Sequence, residues 1–503
     1  MATDHSAVAD VNPTATDVPF DNTYARLPER FYQHCRPAVP SAPRLLAFNR
    51  DLAVELALGS LDEAAAEQVL SGAAVPASAE PLAMAYAGHQ FGNFVPQLGD
   101  GRAILLGEVV DRNCMRRDIH LKGAGRTPFS RHGDGVCPMG PALREYLVSE
   151  AMHALGVPSS RALALVATGD TVLRETPQPG AVIARVAAGH VRVGTLQYFA
   201  ARSDVDAVAT LADYVLDRHY PELRDRENPY RELLEAVAQR QAALVADWMN
   251  LGFIHGVMNT DNMSLAGETL DYGPCAFMDT YHPGTVFSFV DEGGRYAYAN
   301  QPRMARWNLT RFAECLLPLL DTDEDQAVKH AQAVIDAFGD WYEGYRLQGM
   351  RRKLVFAEAH DDDEALVDDL LDALQRGGAD FTLFFRRLSA IAAEPEADAP
   401  VQALFTDPAP WLDWAERWRS RLRAEGGDPN ERRRRMEAVN PAVIPRNHSV
   451  EHAIRAAEDQ GDLGPFHALR ASLADPFADH GEDAPGARPP APEERIRRTF
   501  CGT

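Results

Sequence analysis

The hydrophobic period of the chain changes near residue 205, and this change limits the possible folds more than any other feature of the sequence. Before it, glycine-rich turns separate short apolar runs typical of β-strands, interrupted by one helical segment, Pro141–Leu155. After it, apolar residues recur at helical spacing, first in Tyr230–Leu251. The sequence therefore predicts an α+β fold of two lobes, a β-rich N-lobe and a helical C-lobe. The expected strands include Ala103–Val110, Ile119–Lys122 and Ala181–Val186.

Charge and hydropathy argue against two classes of partner. The 503 residues carry 50 basic and 73 acidic side chains, which gives a net charge of −23. A surface of that charge repels nucleic-acid phosphates, so no nucleic-acid partner is expected. No apolar run reaches the roughly 20 residues that a membrane helix needs. Because Met1–Asn22 has no Lys or Arg, it lacks the pattern of a signal or transit peptide, and the expected location is the cytoplasm.

A glycine turn precedes the first of these strands. In Gln97–Arg102, Gly99 and Gly101 would let backbone N–H groups approach phosphate oxygens. Arg102 could add a charge-assisted hydrogen bond. Because Asp-Gly is also a common hairpin turn, the motif alone leaves a plain β-turn as the alternative.

Lysine is scarce in this chain, which contains only Lys122, Lys329 and Lys353. Lys122 ends a predicted strand and precedes a glycine-rich turn. In kinase-type enzymes, a strand lysine in this place contacts the phosphates of ATP and is held by a helix glutamate. Glu145, on the helix of this lobe, is the expected partner. The alternative is a solvated lysine and a surface glutamate that do not meet.

The most informative motif follows the long helix. In Gly252–Asn262, His255 and Asn262 have the spacing of the catalytic loop of protein kinases, and Asp271 in Asp-Tyr-Gly matches their metal-binding aspartate. The side-chain oxygens of Asn262 and Asp271 suit Mg²⁺. A polar turn between strands is the alternative, which the order of helix, histidine, asparagine and aspartate disfavours.

The same loop departs from the kinase pattern at one position. Val257 stands where a kinase has its catalytic aspartate, and its side chain cannot accept a proton. The nearest carboxylate is Asp261, directly before Asn262. The loop therefore predicts a kinase scaffold with rearranged chemistry, and it disfavours a plain hydroxyl kinase.

Further candidates lie in the predicted β-rich lobe. Arg185 ends a strand, and Arg192 stands between two glycines in Gly189–Gly194. Both could neutralise the charge of a polyphosphate, although surface arginines in an arginine-rich chain are the alternative. Asp134 and Gly135 form another turn that could meet a nucleotide.

The motifs and the composition together give the segment boundaries. Residues 1–22 are predicted to be a disordered leader, and residues 23–204 the β-rich N-lobe with nucleotide-binding loops. Residues 205–475 are predicted to be the helical C-lobe with the catalytic and metal loop. Residues 476–503, in which Pro, Ala, Asp and Gly are frequent up to 491, are predicted to be a flexible tail that carries Cys501.

These motifs together resemble the selenoprotein O family. The resemblance spans about residues 20 to 320 and resumes near the C-terminus. It implies a protein-kinase-like fold in which ATP binds flipped relative to kinases. It also implies AMP transfer from ATP to Ser, Thr or Tyr hydroxyls of proteins, with release of pyrophosphate. The runs that carry it are Tyr86–Phe94, Gln97–Arg102, Leu121–Arg131, His255–Asn262 and Asp271–Pro274.

The resemblance implies roles for individual residues. Asp261 would accept the proton, and Glu145 would orient Lys122. Asn262 and Asp271 would hold Mg²⁺, or Mn²⁺. The residues expected to hold the nucleotide are Gly99, Gly101, Arg102, Lys122, Asp134, Gly135, Arg185, Arg192 and Asp271.

The cysteines depart from the family pattern. The resemblance implies a Cys in the loop after Asp-Tyr-Gly-Pro, able to pair with a Cys near the C-terminus. Phe287 stands at the aligned position, and Cys275 is displaced from it. Cys501 is an ordinary cysteine where some relatives carry selenocysteine. The sequence therefore leaves the pairing of Cys501 open.

Two other functions are compatible with these motifs. A phosphotransferase could use the same site, but Val257 counts against it. A nucleotide-binding regulator without turnover would not need the metal pair Asn262 and Asp271 beside the carboxylate of Asp261. The residues and the resemblance favour a protein adenylyltransferase.

Overall fold

A computed structural model of the chain describes residues 18–393 and 397–500. The strands are Tyr32–His34 (β1), Arg44–Phe48 (β2), Leu82–Met84 (β3), Gly88–Gln90 (β4), Asn93–Val95 (β5), Ala103–Val110 (β6), Arg116–Lys122 (β7), Cys137–Pro138 (β8), Arg161–Leu173 (β9), Pro177–Ala187 (β10), Phe253–Ile254 (β11) and Ala276–Phe277 (β12). The α-helices are Arg50–Glu55 (α1), Glu63–Leu70 (α2), Met139–Ala154 (α3), Val193–Ala200 (α4), Val205–His219 (α5), Pro229–Leu251 (α6), Gln301–Leu320 (α7), Glu324–Leu354 (α8), Asp363–Gly377 (α9), Phe381–Ile391 (α10), Ala399–Gln402 (α11), Ala409–Glu425 (α12), Pro429–Glu437 (α13), Asn447–Gln460 (α14) and Gly464–Leu473 (α15).

The main sheet is antiparallel and lies in the N-terminal part of the chain. Its strands are ordered β1-β3-β6-β7-β10-β9-β2, and β8 pairs with β10. Lys122 ends a central strand, opposite Ala103 of β6 on one side and Ile183 of β10 on the other. The three strands that the sequence predicts are confirmed, because their apolar runs fall within β6, β7 and β10.

The helical part begins after the sheet and packs into its own core. The long helix α6 starts where Asn228 accepts a hydrogen bond from the Arg231 N–H and ends at Gly252, which adopts a left-handed φ of 74°. Its apolar face packs against α7 and α8. The predicted α+β mixture of a β-rich N-terminal part and a helical C-terminal part is confirmed, and the main sheet is antiparallel. No helix in the described ranges is both long and apolar enough to cross a membrane.

Helices α14 and α15 fall within residues 205–475, which the sequence assigns to the helical C-lobe. Val450 and Ile454 on α14 are buried in one cluster with Leu143 and Leu147 on α3, so α14 and α15 pack against the helix of the β-rich lobe. Helical periodicity predicts an apolar face, but it does not identify the surface that covers this face.

The predicted terminal segments differ from the structure where it describes them. Residues 1–17 of the predicted leader lie outside the described residues, but Val18 is buried, and Asp21 N–H donates to the Glu108 carbonyl at 2.8 Å. In the predicted flexible tail, Thr499 is buried and its backbone pairs with the segment around Ser288. Backbone pairing fixes both segments. Cys501 lies outside the described residues.

Candidate active site

Three buried side chains, Lys122, Glu145 and Arg185, meet the half-buried Asp271 where the central strands approach α3. Lys122 Nζ lies 2.6 Å from Glu145 Oε2 and 2.7 Å from Asp271 Oδ1. Arg185 Nε donates to Glu145 Oε1 at 2.7 Å. Burial alone would raise the pKa of Glu145, but Arg185 and Lys122 lower it below its ordinary value. The glutamate is therefore a charged anchor between two cations.

The fold explains how these residues meet. Lys122 and Arg185 stand on neighbouring strands, β7 and β10. Glu145 is on α3, whose buried leucines hold the helix in its core cluster. Asp271 follows the loop Gly252–Asn262 and adopts a left-handed φ of 65°, which is unusual for a residue with a side chain.

An open cavity of about 860 Å³ lies in front of this cluster. Among the residues that the sequence marks as candidates, Lys122, Glu145 and Arg185 lie behind Asp271 and do not line the cavity. Its lining includes Gly99, Gly101, Arg102, Asp134, Gly135, Arg192, Asp261, Asn262 and Asp271.

The glycine turn forms one wall of this cavity. A methyl group on Gly99, whose φ is 70°, would overlap the ring of Phe129. One on Gly101 would lie 3.0 Å from the Phe129 carbonyl oxygen. The hydroxyl of Thr127 donates to the Asp100 carbonyl at 2.6 Å and ties the turn to the following loop. Because both residues lack a side chain, Phe129 packs directly against the turn, and the backbone of the turn itself lines the cavity.

Asp261 is the carboxylate opposite this turn. Its side chain is buried, and burial raises its pKa to about 6. Gln90 Nε2 lies 3.4 Å from Asp261 Oδ2, and among the described atoms Oδ1 has no hydrogen-bond partner. Oδ1 is buried against Gly88, so the charge of the carboxylate is poorly compensated on that side, which agrees with its raised pKa. Val257 also lines the cavity, but its side chain has no polar atom.

The hairpin β4–β5 holds this loop in place. His89 N–H donates to Thr260 Oγ1 at 2.7 Å, and Phe91 N–H donates to Asn259 Oδ1 at 3.0 Å. A methyl group on Gly88 would lie 2.5 Å from Asp261 Oδ1. The hairpin therefore fixes the position of the carboxylate.

Arg192 connects the two walls. Its Nη1 donates to the Asp261 carbonyl at 3.2 Å, and its guanidinium lies over the ring of Tyr86, 4.5 Å from the centroid. Asp100 Oδ1 lies 3.7 Å from Arg192 Nη2, and its other oxygen lies 3.2 Å from His120 Nε2. Burial would raise the pKa of Asp100, but His120 and Arg192 hold it at about 2.

The loop at the mouth of the cavity carries Asp134 and Gly135. Arg174 Nη1 lies 2.6 Å from Asp134 Oδ2, and Arg174 lines the cavity as well. A methyl group on Gly135, whose φ is 76°, would overlap the backbone of Gly125. Asp134 therefore positions an arginine at the mouth.

The surroundings of Asn262 and Asp271 suit a bound cation. Asn262 Nδ2 donates to the Val257 carbonyl at 3.1 Å, so its amide oxygen is the atom left for a cation. Burial would raise the pKa of Asp271, but Lys122 and Arg185 lower it well below its ordinary value, which keeps a carboxylate there. One carboxylate and one amide oxygen on the same cavity fit Mg²⁺ bound partly through substrate oxygens. Within 18–393 and 397–500 no group of three or more His, Cys, Asp or Glu side chains could hold a metal on its own.

Sequence reasoning missed several of these contributors. Gln90 and Arg174 line the cavity, and Asp100 supports Arg192. The available signal was the unusual run Tyr86–Phe94, which carries the family resemblance without showing what it touches. For Asp100 the signal was its place between two glycines.

Comparison with known proteins agrees with this geometry. Residues 14–474 match the family described as Protein adenylyltransferase SelO. The chain is 57% identical over 487 residues to "Protein nucleotidyltransferase YdiU" of Bradyrhizobium sp. (strain ORS 278), covering 96% of this chain and 99% of that protein. It is 56% identical over 490 residues to the protein of that name from Rhizobium rhizogenes (strain K84 / ATCC BAA-868), covering 97% and 98%.

Proposed function

The chain belongs to the SelO family of protein adenylyltransferases and is a protein nucleotidyltransferase, and from this premise we propose that it transfers AMP from ATP to Ser, Thr or Tyr hydroxyls of proteins. One observation carries the proposal. The cavity holds a buried carboxylate, Asp261, in front of the charged cluster of Lys122 and Asp271, while Val257 leaves the usual kinase position without a base. ATP as the donor agrees with the cytoplasmic location that the sequence predicts.

A protein-kinase-like fold is part of this proposal. It is supported by an antiparallel sheet followed by helices, and by the pair of Lys122 on a central strand with Glu145 on the packed helix. In this fold ATP would bind flipped, so that its α-phosphate faces Asp261. Gly99, Gly101 and Arg102 would hold the phosphates from one wall and Arg192 from the other. Asp134, Gly135 and Asp271 would complete the nucleotide site, with Lys122 and Arg185 acting from behind Asp271.

In the proposed reaction the acceptor hydroxyl displaces pyrophosphate from the α-phosphorus of ATP. The oxygen of the acceptor hydroxyl attacks the α-phosphorus of ATP, and its proton passes to Asp261. The new P–O bond forms as the bond from the α-phosphorus to the bridging oxygen breaks, and pyrophosphate leaves with that electron pair. Arg192, beside Asp261, stabilises the negative charge on the phosphoryl oxygens. Glu145 keeps Lys122 directed at Asp271 and the phosphates.

The oxygens of Asn262 and Asp271 would hold Mg²⁺, or Mn²⁺, which when bound neutralises charge on the phosphate oxygens. The ion pair of Lys122 with Asp271 is compatible with this role, because a cationic lysine and a metal can share the phosphates of one nucleotide. The donor set does not distinguish the two metals.

The test is a transfer assay with purified protein, Mg²⁺ and ATP labelled at either the α- or the γ-phosphate. We expect label on protein only from α-labelled ATP. Asp261→Asn should lower the transfer rate at least about 100-fold, because a general base contributes that much, while ATP binding remains. Asp247→Asn on α6, near Arg352 and outside the cavity lining, is the matched control and should transfer normally.

Three outcomes would contradict the proposal. Label from γ-labelled ATP alone would make the protein a phosphotransferase. Since Val257 cannot accept a proton, another residue would then have to act as the base. Normal transfer by Asp261→Asn would remove Asp261 from the chemistry. ATP binding without transfer of either label, to itself or to proteins of a cell extract, would favour a regulator without turnover.

A further inference from the structure

Exposed apolar side chains lie together on the loop after the catalytic segment. Phe289 is 44% exposed and Val290 56%, and both follow one another in the chain. The ring of Phe500, 60% exposed, lies 4.9 Å from that of Phe289 between centroids. Arg498 covers part of the Phe289 ring at 5.3 Å. We call Phe289, Val290 and Phe500 the apolar patch.

Backbone hydrogen bonds hold the apolar patch in place. Thr499 N–H donates to the Phe287 carbonyl at 2.8 Å, and Phe289 N–H donates to the Thr499 carbonyl at 3.1 Å. The side chain of Thr499 is buried and donates to the Pro274 carbonyl. The backbone that carries the exposed rings is therefore held by hydrogen bonds on both segments.

The apolar patch adjoins the proton acceptor of the proposed reaction. Val290 lines the same cavity as Asp261. The next residue, Asp291, accepts from the backbone of Tyr296 at 2.8 Å, and the Tyr296 hydroxyl donates to Asn259 Oδ1 at 2.7 Å. Asn259 precedes Asp261 by two residues. The patch thus continues the Asp261 side of the cavity out to the surface.

We propose that the apolar patch is the docking surface for the acceptor polypeptide, and that it favours hydroxyl residues with an apolar neighbour. The inference rests on the proposed function, because only a protein acceptor has to bring a chain to Asp261. Clustered exposed apolar side chains mark interaction sites, and aromatic side chains carry much of their binding energy. Arg498 at the edge also favours an acceptor with an acidic residue beyond the apolar one.

The experiment compares two synthetic peptides, each with one serine. One has leucines near the serine, and in the other asparagines replace these leucines. With α-labelled ATP and Mg²⁺, we expect the leucine peptide to have a KM lower by about tenfold. The single variants Phe289→Ser and Phe500→Ser should raise that KM towards the value for the asparagine peptide and leave kcat unchanged. Val328→Ser, at an equally exposed apolar residue on α8, is the control.

Binding of fluorescent peptides, followed by anisotropy without ATP, separates this inference from the proposed function. Loss of leucine-peptide binding in the patch variants supports docking even if no label is transferred, and absent transfer would then contradict the proposed function alone. Equal KM values and equal binding for wild type and patch variants would overturn the docking surface. A wild-type dimer that the same substitutions convert to a monomer would also overturn it, because a second copy would then be the occupant.

Discussion

Gly88 lies so close to the carboxylate of Asp261 that no side chain fits between them. A methyl group there would be 2.5 Å from Asp261 Oδ1 and 3.0 Å from its Cγ. Because the hairpin is also tied to Thr260 and Asn259, the carboxylate cannot move away without breaking these hydrogen bonds. Because it has no side chain, Gly88 lets the hairpin pack directly against the carboxylate.

Gly88→Ala is therefore expected to lower the transfer rate at least about tenfold while ATP affinity changes little, since misplacement of a catalytic group by an ångström is costly. Initial rates with α-labelled ATP and calorimetric ATP binding measure the two effects. The control is Gly339→Ala on α8, where an added methyl group meets nothing within 4 Å. Equal rates for both variants would show that the hairpin does not position Asp261.

At this scale the sequence predicts pairs that lie within recognised motifs. The contact of Lys122 with Glu145 follows from a strand lysine and the one helix of its lobe, and the structure brings the two within 2.6 Å. The contact of Gln90 with Asp261 joins residues 171 positions apart. No local period or spacing encodes such a contact, because it exists only after the hairpin packs on the loop.

Helix α8 carries a buried lysine in its last turn. Lys353 lies near the end of the helix, with its Nζ 4.1 Å from the centroid of the Phe385 ring on α10. Burial lowers the pKa of this lysine from 10.5 to about 7. The folded state therefore binds this proton less readily than the unfolded state between these two values.

The free energy of unfolding is consequently expected to rise from pH 7 to 9, by up to about 1.4 kcal/mol per pH unit from this group. Lys353→Met should remove that dependence and make the protein more stable at pH 7. Urea unfolding at several pH values measures it, with Lys329→Met at an exposed position of the same helix as control. The same pH slope in wild type and Lys353→Met would mean that Lys353 stays charged when folded.

Whole elements were more predictable than contacts. The strand runs of β6, β7 and β10 and the helices α3 and α6 follow from the spacing of their apolar residues. The short strands β4 and β5 were not predicted, since three residues give no measurable period.

At the scale of the whole molecule, helix α14 near the C-terminus packs against α3, the helix that carries Glu145. Arg144 on α3 donates to Asn447 Oδ1 at 2.6 Å, and Gly140 N–H donates to Glu458 Oε1 at 2.8 Å. Ile454 is buried against the same helix, which also carries Glu145. The site therefore depends on a segment some three hundred residues away in sequence.

Ile454→Ala should lower the free energy of unfolding by about 2–4 kcal/mol, because it leaves a cavity beside α3. At a temperature where the variant remains folded, transfer should also fall, since Glu145 loses support. Urea unfolding and initial rates report the two effects, and Val328→Ala at an exposed position is the control. Lost stability with an unchanged rate would show that α14 stabilises the fold without supporting the site.

The surface against which α14 and α15 pack could not be predicted from the sequence. Their periodicity predicts helices and an apolar face, but that face is equally suited to either lobe. The position of the two helices depends on shape and on matching polar groups. One example is Glu458, which packs directly against the backbone of Gly140. These features appear only when both surfaces exist.

The pairing of Pro274 with Thr499 has a consequence for biosynthesis. The Pro274 carbonyl receives its hydrogen bond from a residue 225 positions later, so a ribosome must add all of those residues before the loop beside Asp271 gains this partner. During translation the surface beside the cavity is therefore completed only after α14 and α15, which support α3, have been synthesised. A nascent chain would thus complete the proposed platform for other proteins among its last steps of folding.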